Sequence, residues 1–305
     1  MAVETVFGFL NINKPPDMTS RDVVNVVQRL VKPHKAGHAG TLDPMATGVL
    51  LVAVGKATRL ISLAQQLPKV YLAEFQLGVR SDTDDITGNV TAVDVPADTP
   101  AESQVREQLN AFVGTIDQIP PAFSAVKVSG ERAYDKARRG EGVELRSRKV
   151  DVYQIDLLWY RWPTLSVRIR CGSGTYIRSI ARDLGELLNC GGLMTSLVRE
   201  SSGPFAVTDG LSPDGITAQT VEQSMVNPVC LVQDQSRYRT SPEEMEFLKA
   251  GRALTPDQSR LEMIPGRAQA QVCSIAFVSS DGKALLALGE ADMTVPILQP
   301  RTVLI

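Results

Sequence analysis

Residues Gly37 to Pro44 read GHAGTLDP and carry a single carboxylate, Asp43. The glycines permit tight turns or close approach of a ligand. Pro44 steers the residue before it, the aspartate itself, away from helix toward extended backbone. An acid presented on such a loop has what a carboxylate nucleophile or general base needs; an Asp-Pro turn is the plainer alternative. A second string, Gly172-Ser173-Gly174-Thr175-Tyr176-Ile177-Arg178, leads glycines into a helix whose first turn presents Tyr176 and Arg178. Helix N-termini favour anions, so this arginine is placed to bind a phosphate or to pair with a carboxylate. Paired with Asp43, it would hold that acid ionised and oriented; a surface arginine on an ordinary first turn is the alternative.

Two other clusters carry less. His34 and His38 are the only histidines, and Gly37, Ala39 and Gly40 break the helix that an i, i+4 metal pair would need. No metal site is expected, and His38, five residues from Asp43, reads as a polar contact to substrate or phosphate. The acidic run Asp82 to Gly88 (DTDDITG) lacks the alternating ligands and distal glutamate of a calcium loop, so it reads as a polar turn after a strand.

The elements that must position these residues follow from periodicity. Phe7 to Asn13 reads as a strand, and Thr19 or Ser20 can cap a helix with apolar Val23, Val24, Val27 and Leu30, stopped by Pro33. A buried-type strand runs from Val49 to Val54, and Gly55 opens a second helix through Leu60, Leu63 and Ala64. Lys69 to Gly78 alternates, with Tyr71, Ala73, Phe75 and Leu77 on one face. Thr99-Pro100-Ala101-Glu102 has the cap, proline and acid of a helix start, with Val105, Leu109 and Phe112 as its stripe. Phe123 to Val128 is a short extended segment. Val150 to Leu158 and Leu165 to Cys171 form a hairpin, and Ile177, Ile180, Ala181, Leu184 and Leu188 an amphipathic helix. Ser241-Pro242-Glu243-Glu244 starts a short helix closed by Gly251. Two β-like runs after it are joined at Asp281-Gly282, a hairpin signal. The alternation predicts an α+β (mixed α/β) fold, with a division near residue 235: a larger domain over 1–235 and a small β-rich module over 236–305.

Composition sets the outer limits. The chain has 305 residues, 43% hydrophobic and 22% charged, an ordinary globular make-up. No apolar run is long enough to span a membrane, and the N-terminus lacks the basic start of a signal peptide. Four scattered cysteines form no CxxC and read as reduced thiols in a cytoplasmic protein. The net charge is −2, but its distribution is uneven. Lys127 to Arg199 holds 14 Lys/Arg against 8 Asp/Glu, and Met1 to Lys69 holds 8 against 4. Basic stretches thus include or adjoin the chemical strings, as a polyanion-binding groove requires. Lys14, Arg21, Lys32 and Lys35, with Arg132 to Lys149, are candidate phosphate contacts.

Five strings occur in order: GHAGTLDPMATGVLLVAVGKATR, KVYLAEFQLGVRSDTDDITG, PPAFSAVKVSGERAYDKAR, GSGTYIRSIARDLGE and GGLMTSLVRESSGPF. Together they resemble the TruB family of tRNA pseudouridine synthases, whose members isomerise the uridine at position 55, in the T loop of tRNA, to pseudouridine. The resemblance covers roughly residues 7 to 230. It implies that Asp43 is the catalytic aspartate and Arg178 its paired arginine, that Tyr71 stacks on the target base, and that Tyr176 contacts substrate. It further implies that Leu197 packs in the uracil pocket, that His38 inserts near the flipped nucleotide, and that Lys127 lines the pocket within PPxxSAxK. The implied fold has a central mixed, mainly antiparallel sheet flanked by helices, with a C-terminal PUA-like RNA-binding module. The stretch Val198-Arg199-Glu200 departs from the family, which often has two adjacent arginines there; a weakened phosphate contact is the expected consequence. The implied reaction needs no cofactor, and the reading implies tRNA as partner, no membrane, no protein partner and a monomer. Two other functions compete: a non-catalytic tRNA-binding or folding helper that uses the same pocket, and a nucleosidase-like hydrolase.

Overall fold

Alternating apolar residues build the sheet that carries the site. In the computed structural model, which describes residues 7–95, 98–124, 127–128, 131–132, 139, 145–264, 271–292 and 294–305, the chain forms two main sheets. The strands of the first part are β1 (Gly8–Lys14), β2 (Ala36–His38), β3 (Thr47–Val54), β4 (Lys69–Leu77), β5 (Val79–Ser81), β6 (Val90–Ala92), β7 (Gly114–Gln118), β8 (Lys127–Val128) and β9 (Glu131–Arg132). They are followed by β10 (Arg148–Arg161), β11 (Thr164–Cys171), β12 (Gly192–Ser202) and β13 (Phe205–Ala206). The large sheet has nine strands. Seven run in the order β1-β3-β12-β4-β11-β10-β7, with β2 paired to β3 and β13 to β12. Its pairings are antiparallel except where β12 meets β3, so the sheet is mixed and mainly antiparallel, as expected. β5–β6 and β8–β9 are separate small hairpins.

The α-helices among the described residues are α1 (Ser20–Leu30), α2 (Ile61–Gln66), α3 (Glu102–Asn110), α4 (Ile177–Leu187), α5 (Ala218–Gln223) and α6 (Met245–Lys249). Thr19 caps α1: its hydroxyl accepts from the Asp22 amide at 3.1 Å, and the Asp22 carboxylate accepts from the Thr19 amide at 3.0 Å. Val23, Val24 and Val27 are buried with Leu10, Ile12, Tyr71, Phe75 and the apolar stripe of α4 in one core on one face of the sheet. Two starts differ from expectation. Gly55 opens a 3-10 turn, Gly55–Leu60, before α2 begins. α3 begins at Glu102 and not after Thr99, because the Tyr160 hydroxyl takes the Pro100 carbonyl at 2.6 Å and Gln104 accepts from the Ala101 amide at 2.8 Å.

The second sheet contains β14 (Ser236–Arg239), β15 (Leu261–Glu262), β16 (Val272–Val278), β17 (Leu285–Asp292) and β18 (Ile297–Val303), ordered β15-β14-β16-β17-β18. Asp281-Gly282 lies in the β16–β17 connection, as read from sequence. Residues 275–278 of β16 are buried on both faces. Ile275 and Phe277 pack with Tyr238 and Leu248, whereas Ala276 and Val278 join Phe9, Val49, Leu51 and Ala53 behind the large sheet. Among the described residues no helix is long and apolar enough to cross a membrane.

The parallel contact between β3 and β12 depends on Gly48, which has φ +97°; a β-carbon there would lie 2.3 Å from the Arg199 carbonyl oxygen. Gly48→Ala should therefore destabilise the protein by about 2–4 kcal/mol, from left-handed strain plus overpacking. Urea unfolding checks this, and a wild-type midpoint would refute the close-approach account.

Candidate active site

The Asp43 loop lies outside regular structure, yet each carbonyl from Gly40 to Pro44 finds a donor. Arg199 Nη1 donates to the Gly40 oxygen at 3.4 Å and Nη2 to the Thr41 oxygen at 2.9 Å. The Ser20 hydroxyl, buried at the start of α1, donates to the Leu42 carbonyl at 3.1 Å and accepts from the Leu42 amide at 2.9 Å. The Ala46 amide closes a turn onto the Asp43 oxygen at 3.0 Å. Lys14 Nζ donates to Pro44 at 2.9 Å, joined there by the Asp17 amide at 3.0 Å. Leu42 and Ala46 anchor the loop in the core on either side of the acid.

Onto this acid comes Arg178 from the first turn of α4. Its Nε lies 3.0 Å from Asp43 Oδ2 and its Nη2 donates to Oδ1 at 3.1 Å, a two-point grip. The Arg178 side chain is only 7% exposed, whereas that of Asp43 is 33% exposed, so the acid faces outward and the arginine backs it. Arg178 also lies 3.2 Å from Asp85 Oδ2 and donates to the carbonyls of Thr83 at 3.0 Å and Phe123 at 3.1 Å. Asp85 is buried, and its other oxygen accepts from the Thr83 and Thr87 hydroxyls and the Thr87 amide. The acidic run is thus a turn, as read, but it also delivers the second carboxylate that orients Arg178. Burial pushes the Asp43 carboxyl above its ordinary value. Arg178 opposes this most strongly, Asp85 adds to it, and Arg199 and Lys14 oppose it less. The expected pairing is present, but desolvation outweighs it in setting the acid's ionisation.

The remaining site residues are arranged as follows. Tyr71 lies on β4 directly opposite Arg199 on β12, and its hydroxyl accepts from Arg199 Nε at 3.2 Å. Leu197, two residues before Arg199, is buried opposite Ala73. Tyr71 and Leu197 belong to one apolar cluster, and Tyr71 is near enough to feel the charge of Asp43. His38 ends β2. Gln28 holds the turn before it, donating to the His34 carbonyl at 2.6 Å and accepting from the Ala36 amide at 2.8 Å. Burial first, then Arg199 and Arg21, lower the His38 pKa, so its ring is neutral at neutral pH. Tyr176 is the residue before α4; Arg148 stacks on its ring at 4.5 Å and donates to the Gly174 carbonyl at 2.7 Å. Lys127 pairs with Arg132 in the β8–β9 hairpin, and its side chain lies outside the described residues.

One charged residue differs from expectation. Lys14 is no phosphate contact. It is fully buried, and its ammonium binds the carbonyls of Pro15 at 2.8 Å and Met18 at 2.7 Å besides Pro44. Burial lowers its pKa to about 8, against the pull of Asp17 and Asp43. At the family departure, Arg199 is buried, and Glu200 pairs with Arg168 at 2.8 Å on the sheet surface. Much of Arg132 to Lys149 lies outside the described residues. Sequence reasoning also missed Gln118. It is 1% exposed, accepts from the Tyr176 amide at 2.8 Å and donates to the Tyr176 carbonyl at 3.0 Å. A glutamine just before Pro120-Pro121 offered no periodic signal.

Gln118→Leu leaves the Tyr176 amide without its partner and the Tyr176 carbonyl with only the Ile180 amide at 3.3 Å, so it should cost about 1–3 kcal/mol of stability. It should also lower turnover, because Tyr176 and Arg178 share one turn. Thermal unfolding and steady-state rates check this; wild-type values for both would sink the assignment.

Comparison with known proteins converges on one family. Residues 28–177 match the N-terminal domain of the TruB family of pseudouridylate synthases. The tRNA pseudouridine synthase B of Microcystis aeruginosa is 45% identical over 226 residues, covering 73% of this chain and 76% of that protein. The tRNA pseudouridine synthase B of Clostridium acetobutylicum is 38% identical over 258 residues, covering 85% and 88%. Among solved structures, a Cbf5-Nop10-Gar1 complex contains a chain with TM-score 0.71 and 26% identity, covering 97% of this chain and 84% of that one. An H/ACA RNP bound to a substrate RNA containing 2′-deoxyuridine gives TM-score 0.72 and 25% identity, covering 98% and 85%. Identity of this extent over most of the chain shows that it belongs to the TruB family of pseudouridine synthases, which are isomerases.

Proposed function

We propose that this protein binds the T stem-loop of tRNA as a monomer in the cytoplasm and isomerises the uridine at position 55 to pseudouridine. The observation that carries this reading is Asp43, held at two points by Arg178 and exposed on its outer side beside a buried wall containing Tyr71 and Leu197. The tRNA pseudouridine synthase B relatives support tRNA as the substrate class. Residues 1–235 form the catalytic domain in this reading, and 236–305 a PUA-like module that contacts RNA.

The reaction breaks the N1–C1′ bond, turns the uracil and joins C5 to C1′; the proton leaves C5 and N1 gains one. No atoms are gained or lost. A stacked uridine must first be flipped out, at a cost of a few kcal/mol. Stacking on Tyr71 offsets about 1–3 kcal/mol of that. Leu197 is the apolar wall that keeps the detached uracil in place, and His38 and Tyr176 contact the flipped nucleotide. Lys127 lines the pocket. Asp43 attacks C1′ or C6, or removes a proton from C2′; each route requires the carboxylate. Arg21, Lys32 and Lys35 are exposed near the loop and contact phosphates without reading bases.

Unmodified tRNA incubated with the protein and mapped by position should acquire one pseudouridine, in the T loop. Asp43→Asn should bind the tRNA and make none. Normal turnover by that variant would refute the role of Asp43, while an inactive wild type that still remodels tRNA would support the folding-helper reading. The raised Asp43 pKa also sets a pH dependence. The reactive carboxylate is lost as pH falls through that value, so kcat should decline on the acid side at a pH above the ordinary aspartate value of about 3.9. A kcat that stays flat down to about pH 4 would contradict this.

A further inference from the structure

We propose that Arg199 is a positioning residue for the isomerisation: it ties the Tyr71 ring to the backbone of the Asp43 loop and so sets the distance between the base platform and the acid. This inference rests on the proposed role of Asp43. Arg199 is 2% exposed, so it acts through its neighbours and not on RNA. Strand pairing sets it opposite Tyr71 on one side and Gly48 on the other. Its guanidinium then reaches three pieces of structure at once. Nε donates to the Tyr71 hydroxyl at 3.2 Å, and the guanidinium carbon lies 5.6 Å from the Tyr71 ring centre. Nη1 donates to the Val49 carbonyl in β3 at 3.0 Å, and Nη1 and Nη2 hold the carbonyls of Gly40 and Thr41, three and two residues before Asp43.

Each of these partners is a carbonyl or a phenol. A buried cation held only by neutral oxygens is costly unless a negative charge lies close by. Asp43 is such a charge. Four charged groups act on Asp43: Arg178, Asp85, Arg199 and Lys14. Arg178 and Asp85 lie on the α4 side, and Lys14 lies beneath Pro44. Arg199 alone among them also binds the aromatic residue. Its planar fork spans three carbonyls and a hydroxyl, which a lysine ammonium cannot reproduce.

The test uses the full chain carrying Arg199→Lys or Arg199→Gln, with unmodified T stem-loop RNA as probe. Both variants should lose kcat by about 100-fold, the scale of an ångström of misplacement at a reacting group. RNA affinity should stay at the wild-type value. The acid limb of kcat should move to higher pH in Arg199→Gln, which removes a cation facing Asp43, and stay in place in Arg199→Lys, which keeps it. A residue that merely filled the core would not separate the two variants by pH. If Arg199→Gln fails to fold, Arg199→Lys decides by its kcat and affinity alone. Wild-type kcat in Arg199→Lys, or weakened RNA binding with kcat intact, would overturn the proposal. Absence of pseudouridine with the wild-type protein would instead remove the reading beneath it.

Discussion

A carboxylate can be aimed only if the backbone beneath it is held, and the Asp43 loop has no ladder or helix to hold it. Its five carbonyls from Gly40 to Pro44 would be a liability in the buried surroundings of Leu42 and Ala46. They are satisfied from four directions: Arg199 from β12, Ser20 from α1, the loop's own Ala46 amide, and Lys14 with Asp17 from the end of β1. Much of the surrounding architecture follows from that need. β1 and β12 flank β3, and the α1 start must lie against the loop for Ser20 to reach Leu42.

The same arrangement concentrates charge in a low-dielectric place. Arg178, Arg199 and Lys14 face Asp43 and Asp85, so three cations surround two carboxylates. The three cations serve different ends. Arg178 grips the acid directly, Lys14 binds only carbonyls, and Arg199 binds carbonyls and the Tyr71 hydroxyl. Burial still prevails over these charges at Asp43. An acid with a raised pKa is a stronger base and nucleophile once ionised than an ordinary surface aspartate, which suits each chemical route open to it.

Behind the sheet lies a second apolar layer with a different task. Ala276 and Val278 of β16, Leu285 of β17 and Leu304 pack against Phe9, Val49, Leu51 and Ala53. β1 and β3 are therefore buried on both faces, with the site's core on one and the C-terminal strands on the other. This explains the continuous apolar run Val49 to Val54, which has no polar face because neither face meets water. It also links the C-terminal strands to the strand that leaves the Asp43 loop.

Read alone, the sequence determined what local physics determines. Alternation in Lys69–Leu77, helical spacing in Val23 to Val27 and in Ile177 to Leu184, and the Thr19 cap depend on near neighbours, and each appears in the fold. The glycine- and proline-bounded strings at Asp43 and Arg178 were legible for the same reason, and the order of five strings carried the family. Only the tertiary structure decided which polar residues are buried partners. Lys14 looks like a surface cation beside Pro15-Pro16, Gln118 like a loop residue, Asp85 like one acid of a polar turn and Arg199 like a remnant of a phosphate contact. Each has a partner tens to more than a hundred positions away: Lys14 in Pro44, Gln118 in Tyr176, Asp85 in Arg178, Arg199 in Tyr71. Burial of a charge or an amide is a property of what folds over it, and no periodicity in the chain records that.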